Sequence, residues 1–76
     1  MMDDAYIPID CELYARFELA VLRGERLRIA WRDGWGGLHV MGLLPLDLCI
    51  RHRAEHLLAR AEGGGCLELR LDRLVR

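Results

Sequence analysis

The sequence predicts a mostly β fold with one N-terminal helix, its strands forming a compact, strongly bent antiparallel sheet or small barrel. Three observations lead there. The hydrophobic period switches from helical to alternating after Gly24, and the run from Cys66 alternates again. Asp33-Gly34 and Gly63-Gly64-Gly65 supply turn signals between apolar runs. Seventy-six residues suit one domain, expected to span residues 1–76. A chain this short buries about 60% of the surface its unfolded form exposes, leaving little room for both a core and a deep substrate cavity.

The helix is expected from about Cys11 to Arg23. Asp10 is a good N-cap, because its carboxylate can accept from the first unpaired backbone N–H groups. Ile9 before the cap and Tyr14 beyond it suit a hydrophobic staple. Leu13, Phe17, Ala20 and Val21 recur at i, i+4, i+7 and i+8, one apolar stripe, while Glu12, Arg16 and Arg23 lie off it. Gly24 suits a stop with positive φ, and upstream Pro8 keeps Ile7 extended.

Strands are expected from about residue 26 to residue 74. In Arg26 to Arg32, Leu27, Ile29 and Trp31 point one way and the arginines the other. The Asp33-Gly34 turn leads into Gly37 to Leu43, where Gly42 is expected to mark a bulge or sharp bend. Leu46 to Ile50, after Pro45, reads as a short strand or a turn of helix; periodicity does not choose. Arg51-His52-Arg53 reads as a polar turn, Glu55 to Arg60 as a strand and Gly63-Gly64-Gly65 as a hairpin loop. Cys66 to Leu74 then places Leu67, Leu69 and Leu71 on one face and Glu68, Arg70 and Asp72 on the other.

Composition restricts the chemistry. The hydrophobic share of 53% is far above that of disordered chains. With no serine or threonine, hydroxyl nucleophiles of that kind are excluded. Cys11, Cys49 and Cys66 lack paired spacing, which argues against a disulfide framework or a zinc site and suits reduced cytoplasmic thiols. Cys11 reads as a small, half-buried residue opening the helix. His52 and His56 straddle a turn-to-strand transition, where their spacing does not bring them together. The glycine run lacks the lysine and following helix of a phosphate-binding loop. No enzyme, cofactor or metal is therefore expected. Met1-Met2-Asp3-Asp4 is acidic where a signal peptide needs positive charge, and no apolar run is long enough to span a bilayer; a cytoplasmic protein without a membrane partner is expected.

Charge is unevenly spread. Residues 1–25 carry six acids against two arginines, net −4, and residues 26–76 carry nine arginines against six acids, net +3. An acidic leading segment suits a basic partner. Arg26, Arg28 and Arg32, with Arg51 and Arg53, offer a nucleic-acid stripe; the plainer reading pairs that strand face with Glu68 and Asp72. Trp31 shares the inward face and is expected in the core. Trp35 reads as either a partner contact or a lid over the end of the sheet.

Taken together, these residues resemble the Rho-binding antiterminator (Rof) family of bacteria. Tyr6-Ile7-Pro8-Ile9-Asp10-Cys11, then Tyr14 and Phe17-Glu18-Leu19-Ala20, look like its opening pattern. Arg32-Asp33-Gly34, Glu55-His56-Leu57 and Leu69-Arg70-Leu71-Asp72-Arg73-Leu74 resemble its later turn and strands. The resemblance implies an Sm-like barrel with an N-terminal helix, and a non-enzymatic protein that binds the termination factor Rho. Family members occupy the region where Rho takes up nascent RNA, and so reduce termination. Carried onto this chain, Tyr14 and Glu18 match family positions on the helix, and Asp10 and Glu12 are expected to add negative charge to the same contact. RNA then figures as a competitor, and the chain alone as a monomer. The family's acidic-polar pair after the tyrosine is replaced by Ala15-Arg16, so Arg16 is expected to oppose a basic partner. The alternative is an Sm-like RNA-binding module using the arginine-rich strand face.

Overall fold

In the computed structural model, which describes residues 9–75, α1 (Cys11–Arg23) is followed by β1 (Leu27–Arg32), β2 (Leu38–Arg51), β3 (Ala54–Ala61) and β4 (Cys66–Arg70). A 3₁₀ turn over Leu71–Arg73 then leads into β5 (Leu74–Val75). The sequence expectation for Ile7 and Pro8 lies outside the described residues. Asp10 caps the helix as expected: its Oδ1 accepts from the Glu12 N–H at 3.1 Å. Gly24 closes it in the left-handed region (φ 66°), its N–H turned back towards Ala20 and Val21. Ile9, Leu13 and Tyr14 pack on the core partly buried, while Phe17 and Ala20 are buried outright.

The five strands form one antiparallel sheet in the order β4-β3-β2-β1-β5. Its outermost strands, β4 and β5, are separated in sequence by three residues, so the sheet must curl for one to follow the other. Their edges are joined by that 3₁₀ turn and not by a ladder, so the sheet is bent but not closed into a hydrogen-bonded barrel. Core side chains run across the strands in rows. Leu27, Leu43 and Ala61 are paired in one row, and Leu48, Leu57 and Leu69 in another. Leu43, Leu57 and Leu71 are fully buried. Trp31 is in the core, as its strand face predicted.

Several strand details differ from the sequence reading. Leu46 to Ile50 is not a separate element but the second half of the fourteen-residue β2. The irregularity in that strand is not at Gly42, which pairs regularly with Arg28, but between Pro45 and Asp47. Gly42 instead lies beneath the Glu62 carboxylate, where a Cβ would come within 3.1 Å of it. Proline has no N–H to give the ladder, so one residue, Leu46, is passed over in the pairing with β3. The slip exchanges the faces of the strand. Met41, Leu43 and Pro45 are the less exposed positions before it, and Leu48 after it. The run from Cys66 is likewise two short strands with a 3₁₀ corner, since the chain must leave β3 and cross to β1.

The β1–β2 hairpin is pinned by Asp33. Its Oδ1 accepts from the N–H groups of Trp35 and Gly37, each at 2.8 Å, and its Oδ2 accepts from His39 Nε2 at 2.7 Å. His39 is held over Trp31, its cross-strand neighbour, with ring centroids 5.2 Å apart and planes at 15°. The His39 hydrogen bond, followed by those from Gly37 and Trp35, holds the Asp33 carboxyl down to about 2. Because its acidity is increased by folding, Asp33 contributes stability that is complete above its ordinary value of 3.8 and lost as pH falls towards 2. Urea midpoints measured from pH 5 to pH 2 should fall less steeply in Asp33→Asn than in the parent; identical slopes would contradict this role.

Candidate protein-binding site

Asp47 lies just past the bulge in β2, at the border between that strand and the helix. α1 packs chiefly against β2. Where they meet, Tyr14, Glu18, Val21 and Leu22 of the helix face Asp47 and Leu48 across an open groove of about 260 Å³. Tyr14 is half-buried, whereas Leu22 is 81% exposed, an apolar side chain standing in water beside a charged rim. Burial, and then the nearby Glu55 and Glu18, raise the Tyr14 phenol above its ordinary value of 10, with smaller contributions from Cys49 and Asp47. A neutral aromatic hydroxyl thus lies near three carboxylates, two of which, Glu18 and Asp47, share its groove. Such a surface can insert an amphipathic ring between cationic side chains and offer them the carboxylates of Glu18 and Asp47.

Two of these acids, Asp47 and Glu55, do not stand out in the sequence. Their signal there is weak: Asp47 interrupts an otherwise apolar run and Glu55 opens a strand. Asp47 borders the groove just past the β2 bulge, while Glu55 lies opposite Ile50 at the start of β3. Cys49, also among the groups acting on Tyr14, lies on the same stretch of β2.

The four helix residues expected in one contact separate into two places. Tyr14 and Glu18 are in the groove just described. Asp10 and Glu12 border another depression with Leu13 and Arg16. Helical geometry accounts for the division, since residues two apart lie about 200° around the axis. Arg16 therefore stands beside Asp10 and Glu12 and away from Tyr14 and Glu18. Asp10 is also engaged as the cap. Asp10→Ala should cost about 1 kcal/mol of stability, while Asp10→Asn, which keeps the accepting oxygen, should cost much less. Thermal melts of the two variants check this.

The other sequence candidates fall elsewhere. Among the described residues Glu68 and Asp72 make no ion pair with Arg26, Arg28 or Arg32, although Arg32 and Glu68 border one cleft. Glu68 instead accepts from Arg51 at 2.8 Å, and Asp72 accepts two bonds from Arg70 at 2.8 and 2.7 Å. Trp35 is no lid: at 97% exposed it projects from the hairpin tip into solvent. Cys11 is exposed, not half-buried. His56 Nδ1 lies 3.1 Å from the Ala54 carbonyl oxygen, and His52 occupies the left-handed turn before β3 (φ 52°). Among the described residues no three histidine, cysteine or acidic side chains are grouped to hold a metal, and no helix is long and apolar enough to cross a membrane.

Comparison with known proteins gives two relatives. Over 74 residues the chain is 34% identical to the protein Rof of Escherichia coli K12, a match covering 97% of this chain and 82% of that one. The same identity and coverage relate it to the protein Rof of Shigella flexneri. No family model matches, and no solved structure does.

Proposed function

The chain belongs to the Rof family, and on that premise we propose that it binds the transcription termination factor Rho and inhibits Rho-dependent termination by covering the site where Rho takes up RNA. The observation that carries the reading is the groove in which Glu18 and Asp47 stand beside Tyr14 and the exposed Leu22. A protein surface that binds RNA is basic, because it must neutralise phosphates. An acidic surface with an aromatic at its centre can occupy such a surface and make the contacts that phosphates and stacked bases would make. The role is one of binding and needs no catalytic group.

The arginines proposed for direct RNA binding support that alternative less well. Arg32 pairs with Leu38 at the start of β2, Arg51 ends the same strand, and Arg51 is engaged by Glu68. Arg32 and Arg51 thus stand by opposite ends of β2. The deciding experiment is binding of the purified chain to purified Rho, with and without RNA filling the primary site, alongside a titration with single-stranded RNA. Binding to Rho that RNA displaces supports occlusion. Equal binding to RNA-saturated Rho excludes it, and tight, salt-sensitive binding to RNA itself would favour the alternative.

A further inference from the structure

On another side of the helix lies a larger groove, about 630 Å³, between α1, β1 and β5. Its floor is apolar, with Leu27, Ile29 and the partly exposed Leu19 and Val75. Arg16, Arg23 and Arg28 line it as well, against one acid, Glu25. None of these three arginines makes an ion pair among the described residues, in contrast to Arg51 and Arg70. The groove also runs along a strand edge. β1 is paired on one side along its length by β2, but on the other β5 reaches Ala30 and Trp31. Among the described residues the outer edge of Leu27–Ile29 has no strand beside it, and Leu27, Arg28, Ile29 and Ala30 all line the groove.

We propose that this groove is a second interaction surface, which takes an extended acidic peptide segment as an added strand along β1. An open edge supplies backbone hydrogen bonds, an apolar floor accepts alternate side chains, and the arginines select carboxylates on the other face. Charge complementarity sets the sign of the partner, and the edge sets its conformation. A single-stranded nucleic acid would also be anionic, but it is held by exposed aromatic rings on which bases stack. The aromatic side chain lining this groove is Phe17, which is buried, and Trp35 is not part of it. The surface is distinct from the Tyr14 groove with its Glu18 and Asp47, so the protein would offer a basic partner and an acidic one different faces of the same helix.

The test is an amide NMR titration of the full chain with a synthetic peptide of alternating glutamate and valine, about ten residues long. Binding should shift the amides of Leu27 to Ala30, weaken at least tenfold in Arg16→Glu/Arg28→Glu, and be lost when alternate peptide nitrogens are methylated to block strand pairing. A lysine-valine peptide should not bind. The proposal is overturned if no amide of β1 moves, if the lysine peptide binds equally, or if methylation has no effect. It is also overturned if oligouridylate shifts these amides more strongly, or if they shift with protein concentration alone, which would mark the groove as a contact between copies. Rho binding is measured separately on the same double variant and should be retained, so failure here and failure of the Rho reading are distinguishable.

Discussion

Replacing Glu18 and Asp47 together by arginine is expected to weaken binding to Rho roughly 100-fold, about 2.7 kcal/mol. The argument combines position and sign. Both carboxylates border the groove that contains Tyr14, and both are exposed, so the substitutions should leave the fold intact. Removing an exposed charge changes association modestly; placing a positive charge against a basic partner costs more, because like charges must be desolvated together. The loss should fall mainly on the association rate and shrink as salt is raised. Glu12→Arg provides the control. It reverses a charge on the same helix, but beside Arg16 and away from Tyr14. Titration of Rho with each variant at two salt concentrations checks the prediction. A free-energy loss in Glu12→Arg about half that of the double variant, in proportion to the charge each changes, would show that net charge governs the contact, and not the carboxylates beside the tyrosine.

That contrast also marks how far the sequence could be read. The helix was legible to its end residues because its determinants are local: a capping aspartate, an apolar stripe and a glycine that tolerates positive φ. The β1 strand and its Asp33 turn were legible for the same reason. The extent of β2 was not. A period of two is readable along a strand until a bulge exchanges its faces, and here Pro45 and the unpaired Leu46 do so in mid-strand. Alternation through Leu71–Leu74 concealed the 3₁₀ corner, because the requirement to turn there comes from the strand order and not from local preference. The site followed the same rule. Tyr14 and Glu18, one turn apart on a helix, could be associated from spacing. Asp47 comes beside them through the β2 bulge, a long-range feature, and Glu12 leaves them through helical geometry that net charge alone does not register.

A pair of leucines separates what holds this fold from what it presents. Leu57→Ala is expected to cost about 3 kcal/mol, within the usual range for a buried leucine truncated to alanine. Leu57 is fully buried at the centre of the sheet, paired with Leu48 on one side and Leu69 on the other, so the void opens where three strands meet. A domain of this length has about 4 to 11 kcal/mol of stability in total, so the loss is a large share of it. At about 4–8 °C per kcal/mol the melting temperature should fall by roughly 12–24 °C. Leu22→Ala removes the same atoms from a side chain that is 81% exposed, and its melting temperature should scarcely change. Its effect should appear in Rho binding, because Leu22 stands in the groove with Tyr14 and Glu18. Paired melts and titrations give the comparison. A large drop in melting temperature for Leu22→Ala would make it part of the core, and unaltered binding would remove it from the contact.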